Sequence, residues 1–237
     1  MENHFIPFRT SSRKRKETDD SSVPFAAITH FPTPMAPDAP QMEDDEKIAY
    51  ISERFRDIMH CLGLDLNDPS LARTPERIAK MYVNEVFSGL KPENFPPITV
   101  IDNEFQHSKR GNLVFLSVNF HSFCEHHFVP MNGTAYIAYL PGRKIIGLSK
   151  IPRIVRYFAR RPQLQERLTA QIADALSYLL ETEHVAVSLT AQHFCVMARG
   201  IEDDNSHTNT NVLRGEFETN PQTQQQFFES INRKFLH

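Results

Sequence analysis

The sequence predicts an α+β fold, in which helices precede, interrupt and follow a largely antiparallel sheet. Three observations support this class. Apolar residues recur with helical spacing in several stretches, two segments rich in β-branched and aromatic residues lie between turn residues, and two further extended segments precede a last helix. The predicted order is helices, two strands, two helices, two strands and a helix.

Residues 1–42 differ in composition from the rest of the chain. They contain six of the sixteen prolines, with Ser, Asp and Thr between them and no lasting periodicity. This composition predicts a disordered Pro/Ser-rich tail. Its basic run, Arg13–Lys16, is either a solvated part of that tail or a nuclear address or polyanion contact.

An N-terminal helical region is predicted for residues 43–95. One face of its first helix is apolar and contains Ile48, Ile51, Phe55, Ile58, Met59 and Leu62. The second helix has Thr74 as the expected N-cap, Pro75 at the first helical position and Gly89 beyond the end. The remaining residues, 96–237, are expected to form a second domain that contains the sheet.

Four extended segments are predicted within this second region. The segments 112–123 and 132–142 are rich in Val, Phe, Tyr and Ile and are bounded by turn residues. The segment 184–196, "HVAVSLTAQHFCV", predicts a buried strand, and residues 209–218 are expected to be extended as well. The order of helices and strands favours mostly antiparallel pairing.

Three helices are predicted between and after these strands. The first begins at Ser149 and places on one face Ile151, Ile154, Val155 and Phe158. The second begins after Pro162 and places on one face Leu164, Leu168, Ile172, Ala175 and Leu179. The last begins at Pro221. Each of the first two apolar stripes is expected to face the core.

Composition narrows the class of function. The 237 residues have a formal net charge of −3, which gives no reason to expect a nucleic-acid or membrane partner. No run of eighteen apolar residues and no secretory signal is present, so neither a transmembrane helix nor export is expected. Three widely spaced cysteines do not form a disulfide framework. A cytoplasmic location, where thiols stay reduced and free to bind metal, is therefore expected.

Two short segments contain metal-ligand residue types. "SFCEHHFVP" contains Cys124, His126 and His127, and "AQHFCV" contains His193 and Cys195. Alternate residues of a strand share a face, so the last two side chains are expected to project together. If the segments meet, thiolates and imidazoles converge as in a zinc site. The alternative is that the cysteines are small buried residues and the histidines are satisfied core groups.

The helix beginning at Ser149 is a candidate anion site. Ser149 is expected to cap it, and Lys150 and Arg153 lie on one face of its first turn, where backbone N–H groups already favour an anion. Phosphate is the expected ligand, although the alternative is a solvated basic face. Glu166 either complements the dipole of the next helix or accepts hydrogen bonds from a guanine-like edge.

Taken together, these segments resemble the GTP cyclohydrolase I family from about Glu43 to the C-terminus. The resemblance rests on six stretches in this order: "TPERIAKMYVNEVFSGL", "CEHHFVP", "YLPGRKIIGLSKIPRIV", "RRPQLQERLTAQI", "HFCVMARGI" and "TNVLRGEF". It implies a tunnelling fold, in which each subunit contributes an antiparallel sheet with helices on one face and several subunits close a barrel. It also implies a homo-oligomer, a toroidal decamer with active sites between subunits.

The resemblance implies a role for individual residues. The zinc ligands, for one Zn²⁺ per subunit, would be Cys124, His127 and Cys195. The catalytic histidines would be His126 and His193. The guanine-binding pair would be Gln165 and Glu166. Ribose and triphosphate would be held by Ser149, Lys150, Arg153 and Arg199, with Arg77 reaching the phosphates from a neighbouring subunit.

The implied reaction converts GTP to 7,8-dihydroneopterin triphosphate, the first step of tetrahydrofolate and pterin biosynthesis. Water attacks C8 of guanine with zinc assistance while a histidine protonates N7, formate is released, and the ribose opens and recloses. Ser117 and the stretch 205–213 depart from the expected pattern. Two alternatives remain: a hydrolase of the same fold that makes another purine or pterin product, and a non-catalytic zinc protein or nucleotide-binding scaffold.

Overall fold

A computed structural model of the chain describes residues 31–104 and 113–234. The basic run Arg13–Lys16 and most of the predicted tail lie outside the described residues. Residues 31–43 form neither helix nor strand. They nevertheless contact the body of the protein, because the Phe31 carbonyl accepts a hydrogen bond from Gln171 and the Thr33 hydroxyl accepts one from Arg161.

The first two described helices are α1, Asp44–Cys61, and α2, Thr74–Met81. Thr74 was expected as a cap, but it is already helical, and Arg73 precedes the helix. The second helix does not continue as an α-helix to Gly89. It changes at Tyr82–Val86 into a π-helical turn, which is followed by two 3₁₀ turns, Ser88–Leu90 and Pro92–Asn94.

The central sheet has five strands in the order β5-β2-β3-β6-β7. Its members are β2 (Val114–Cys124), β3 (Pro130–Tyr139), β5 (Pro162–Gln163), β6 (Val185–His193) and β7 (Thr208–Leu213). All neighbours are antiparallel except β2 and β5, so the expected mostly antiparallel pairing is confirmed. A separate ribbon pairs β1 (Val100–Asp102) with β4 (Lys144–Ile146).

Two helices cover one face of the sheet. They are α3, Ile151–Ala159, and α4, Gln165–Leu180. Their apolar stripes pack with inward residues of β2, β3 and β6 into the main core, where Phe120, Ile137 and Leu168 are almost fully buried. The first of these helices starts two residues after Ser149, so Lys150 rather than Ser149 occupies the cap position.

The opposite face of the sheet is partly covered, which corrects the expectation of helices on one face only. The short helix α6 (Glu216–Thr219) and the final helix α7 (Pro221–Lys234) follow β7. Phe217 and Phe227 are fully buried there against Tyr136. Alternation along β3 explains this, because Tyr136 points away from the face that Ile137 presents to the main core. The extended segment predicted for 209–218 therefore ends at Leu213.

The rest of that second face is polar. Thr134 donates to Asn119 across β2 and β3, and Thr190 donates to Asn209 across β6 and β7. His121, next to this row, is exposed. The sheet thus presents one half-face of hydrogen-bonding side chains that no described helix covers. No helix within the described ranges is both long and apolar enough to cross a membrane.

Candidate metal centre and the residues around it

Three side chains with metal-ligand atoms meet at the end of β2. The ligand atoms of Cys124, His127 and Cys195 all lie within 4.8 Å of one another, and the two Sγ atoms are 3.9 Å apart. Cys124 is the last residue of β2, and Cys195 lies in a short helix, α5, Phe194–Met197. The pairing of Met131 in β3 with His193 in β6 brings this helix beside the end of β2.

The strand argument for Cys195 is wrong, although the residue does reach the site. β6 ends at His193, so Cys195 does not share a strand face with it. The helical turn that follows changes the direction of the chain, and it places the Cys195 thiol beside that of Cys124. His193, two residues before Cys195, remains on the strand, and its ring contacts Gln165 at the start of α4.

The donor set fits a zinc ion. Zinc–sulfur bonds of about 2.3 Å at tetrahedral angles place two sulfur ligands about 3.8 Å apart. The observed Sγ–Sγ distance of 3.9 Å already matches this spacing. Burial raises the pKa of the Cys195 thiol, and the neighbouring Cys124 thiol raises it further. A divalent cation would offset both effects, because it stabilises the thiolate form.

The turn that presents His127 is held by a residue in the left-handed region. Phe128 has φ of 51°, and its N–H donates to the Cys124 carbonyl at 2.9 Å. This backbone conformation costs a non-glycine residue about 1–2 kcal/mol. The Phe128 ring packs edge-on against Tyr82, in the π-helical turn, and lies 5.1 Å from Phe87, directly after that turn. Sequence analysis missed Phe128, since the aromatic partners lie about forty residues earlier in the chain.

Cys124, His127 and Cys195 are called the metal group below. Arg199 contacts one member of this group directly. Its Nη1 lies 2.9 Å from Nε2 of His127. A guanidinium has no acceptor, so it must donate, and Nε2 of the imidazole must offer its lone pair. In this contact the His127 Nε2 atom is therefore the acceptor. One predicted phosphate-binding residue thus lies beside a predicted zinc ligand.

Gln165 fixes the tautomer of His193. Its Nε2 donates to the carbonyls of Leu189 and Thr208 at 3.0 and 2.9 Å, and it lies 3.2 Å from the Thr210 hydroxyl. The amide oxygen must then face His193 Nε2, which is 2.8 Å away. Since a carbonyl oxygen only accepts, His193 carries its proton on Nε2 and leaves Nδ1 as the available base when neutral. Burial lowers the pKa of His193, opposed by the nearby Glu166 carboxylate.

The acidic residues have different surroundings. Glu125, the residue between the metal-ligand cysteine and the histidines, pairs with Arg167 in a largely buried ion pair. This pair ties the turn after β2 to α4, and no local sequence signal indicated it because 42 residues separate the partners. Glu166, by contrast, is exposed. His126 is also exposed, with its ring centroid 6.4 Å from that of His127.

Four of the residues expected to bind phosphate are not at the metal group. Ser149, Lys150 and Arg153 lie at the start of α3, whereas the strand pairing with Cys124 follows the end of that helix. Arg77 is exposed on α2. Within residues 31–104 and 113–234, no hydrogen bond or ion pair joins these four to the metal group. A single chain thus assembles the metal-proximal part of the expected site but not the phosphate-binding part.

The sequence matches the GTP cyclohydrolase I family over residues 51–232. It is 50% identical to GTP cyclohydrolase 1 of Aeromonas hydrophila subsp. hydrophila over 201 residues, which cover 85% of this chain and 90% of that protein. The protein of the same name from Vibrio cholerae serotype O1 is 51% identical over 200 residues, covering 84% and 90%. That from Shewanella putrefaciens is 53% identical over 195 residues, covering 82% and 89%.

Among solved structures, the chain is similar to the apo form of the archaeosine synthase QueF-Like. The TM-score is 0.39 at 15% sequence identity, over 45% of this chain and 97% of that one.

Proposed function

Because the chain belongs to the GTP cyclohydrolase I family, we propose that it is a zinc-dependent enzyme that converts GTP to formate and 7,8-dihydroneopterin triphosphate. Water adds to C8 of the guanine ring, the imidazole ring opens, and the ribose rearranges after formate leaves. The observation that supports this most directly is the convergence of two thiols and an imidazole within a few residues of a partly buried histidine, His193.

The metal ligands in this proposal are Cys124, His127 and Cys195, whose spacing suits a tetrahedral ion. Three protein ligands leave a fourth position open, and bound zinc would supply a Lewis acid and lower the pKa of water toward about 7. The Arg199 guanidinium beside His127 adds positive charge close to this centre. It is suited to the nearest phosphate or ribose oxygen of the substrate.

Proton transfer is assigned to His126 and His193. The lowered pKa of His193 keeps its imidazole neutral near pH 7, where Nδ1 can accept a proton and return it. His126 is exposed in the turn and free to approach the substrate. Adjacent histidines therefore have separate tasks, one as a ligand and one as a proton carrier.

Guanine recognition is assigned to Glu166 and Gln165. The exposed Glu166 carboxylate can accept two hydrogen bonds from the ring N–H and amino group of guanine. The side-chain amide of Gln165 is already occupied by the protein. We infer that Gln165 contributes by holding His193 and the start of the helix from which Glu166 projects.

The phosphate-binding residues support an assembly in which the site spans subunits. Ser149, Lys150 and Arg153 would hold the triphosphate of a GTP bound to the metal group of a neighbour, and Arg77 would reach it from another subunit. Among the described residues, β7 and most of β2 have a strand neighbour on one side only. Open edges of this kind favour pairing between chains, which would close the barrel of a tunnelling fold and, in the proposed decamer, enclose the polar half-face.

The experiment that tests the activity is incubation with GTP, with formate and oxidised pterin fluorescence measured together, with and without a chelator. We expect equimolar products that disappear on chelation and return with added Zn²⁺. Cys195→Ala and His126→Ala should remove the product, whereas Cys61→Ala and His60→Ala, on exposed positions of α1, should not. Robust turnover by Cys195→Ala would contradict the zinc mechanism, and formate without pterin would indicate a reaction that stops early.

A mixing experiment tests the shared site. Cys195→Ala and Arg153→Ala should each be inactive alone, but co-expressed chains should form hybrid oligomers that regain part of the activity. Sedimentation of the wild type should give a decamer. If the hybrid oligomers form and stay inactive, the metal group and Arg153 serve the same chain and the proposed assembly is wrong.

A further inference from the structure

A cavity of about 480 Å³ lies between α3 and the π-helical and 3₁₀ turns that follow α2. The helix side of the cavity presents three guanidinium side chains, those of Arg153, Arg156 and Arg160. The opposite wall includes Asn84 and Ser88. Among the described residues that line this cavity there is no aspartate and no glutamate. A concave site lined by three cations and by no carboxylate favours an anion of high charge.

The three arginines form a ladder along one side of the helix. Their spacing of three and then four residues keeps them on one face, and a rise of about 1.5 Å per residue spreads them over roughly 10 Å. All three are exposed, whereas Ile154 and Phe158 on the other side are buried in the main core. Since the ladder takes no part in core packing, its guanidinium groups are available to a ligand, and each can bind phosphate oxygens in a bidentate manner.

The opposite wall of the cavity is fixed in place. Gly89 donates to the Arg160 carbonyl at 2.8 Å, and Arg161 Nε donates to the Gly89 carbonyl at 2.8 Å. The approach is so close that a Cβ on Gly89 would lie 2.1 Å from the Tyr157 carbonyl oxygen. Asn94 also donates to the Ser88 carbonyl. The cavity is therefore preformed, and a ligand would not need to order its walls.

We propose that this cavity binds a polyphosphate chain, with Arg156 and Arg160 as ligand-binding residues in addition to Arg153. Two sources share this chemistry: the triphosphate of GTP bound across a subunit boundary, and a separate phosphorylated ligand. Binding of a polyphosphate to this cavity does not depend on the proposed function. Only the identity of the bound molecule, GTP or a separate ligand, rests on it.

Binding of inorganic triphosphate to the full-length zinc-loaded protein, measured by calorimetry at two salt concentrations, tests the proposal. The double variant Arg156→Gln with Arg160→Gln should bind at least tenfold more weakly, with a smaller salt dependence. A control with the same charge change, Arg54→Gln with Arg233→Gln, removes two exposed arginines far from the cavity in sequence. It should bind within twofold of the wild type. Equal binding by the cavity variant and the wild type, with both folded by thermal melting, would overturn the proposal.

Kinetics with GTP separate the two sources. If the cavity variant has a raised KM for GTP and an unchanged kcat, the site holds the triphosphate of the substrate. If it loses triphosphate binding while both kinetic constants stay at the wild-type values, the site serves a separate phosphorylated ligand. Both results support a polyphosphate site. A wild type that makes no formate would refute the proposed function, yet the triphosphate measurement would still decide the inference about the cavity.

Discussion

Replacing Gln165 with leucine tests whether this residue acts through His193. Leucine has a similar volume but neither donor nor acceptor, so four contacts to Leu189, Thr208, Thr210 and His193 disappear. Loss of a partner costs about 1–3 kcal/mol for a buried group and about 0.5–1.5 kcal/mol for a partly exposed one, so we expect Gln165→Leu to destabilise the fold by about 2–4 kcal/mol. Release of the His193 ring from its fixed orientation should lower kcat by about 10²-fold.

Two measurements check this prediction. Urea unfolding at fixed protein concentration should show a lower midpoint than that of Gln226→Leu, a control on an exposed position of α7. Steady-state kinetics should show a reduced kcat with a KM for GTP close to that of the wild type. The reasoning would be refuted by an unchanged unfolding midpoint. It would equally be refuted by a raised KM with normal kcat, since that pattern means the side-chain amide binds guanine itself.

Three further substitutions have defined outcomes. Phe128→Ala keeps the left-handed backbone but loses the ring contacts that hold the turn, so zinc affinity in chelator competition should fall about tenfold. Equal affinity would show that the ring does not position the turn. Arg214→Ala removes an ion-pair partner of Asp174, whose side chain is 2% exposed, and should cost about 3–5 kcal/mol in urea unfolding. A loss below about 1 kcal/mol would contradict a buried pair. Gly89→Ala should lower Tm clearly because its Cβ meets the Tyr157 carbonyl oxygen at 2.1 Å. Gly147→Ala, whose nearest neighbour is a side-chain carbon at 3.8 Å, should not.

Local pattern was sufficient for the main strands and helices. The long strands β2 and β3 and the helices α1, α3, α4 and α7 follow from spacing of apolar residues that neighbours in sequence already display. The short strands β1, β4 and β5 were not predicted. With two or three residues each, they are too short to show a period, and they exist only because a partner strand is present.

The second covered face of the sheet illustrates what pattern alone does not reveal. Phe217 and Phe227 sit in short or polar helices with little local indication of burial. Their partner Tyr136 lies some eighty residues earlier, on a strand whose alternation assigns it to that face. Which faces of a sheet are covered depends on where later helices dock, and docking is decided by surfaces that come together only in the folded chain.

The candidate site divides in the same way. "CEHH" is visible in the sequence because its donors are contiguous, and the structure groups Cys124 and His127 but not His126 with the metal-ligand atoms. The family resemblance also indicated Cys195, but the strand argument for it fails, since the strand ends at His193 and a helical turn supplies the thiol. Glu125 had no assigned role until its ion pair with Arg167 was seen.

By itself the sequence determined which chemical groups are present: the cysteine thiols, the histidine imidazoles and the basic helix face. It also determined the family pattern that links them. Only the tertiary structure decided which atoms meet, which tautomer His193 adopts, and that Ser149, Lys150 and Arg153 lie apart from the metal group in one chain. The physical reason is that donor type is a property of a residue, whereas coordination, tautomer and subsite depend on distances between residues that only long-range packing sets.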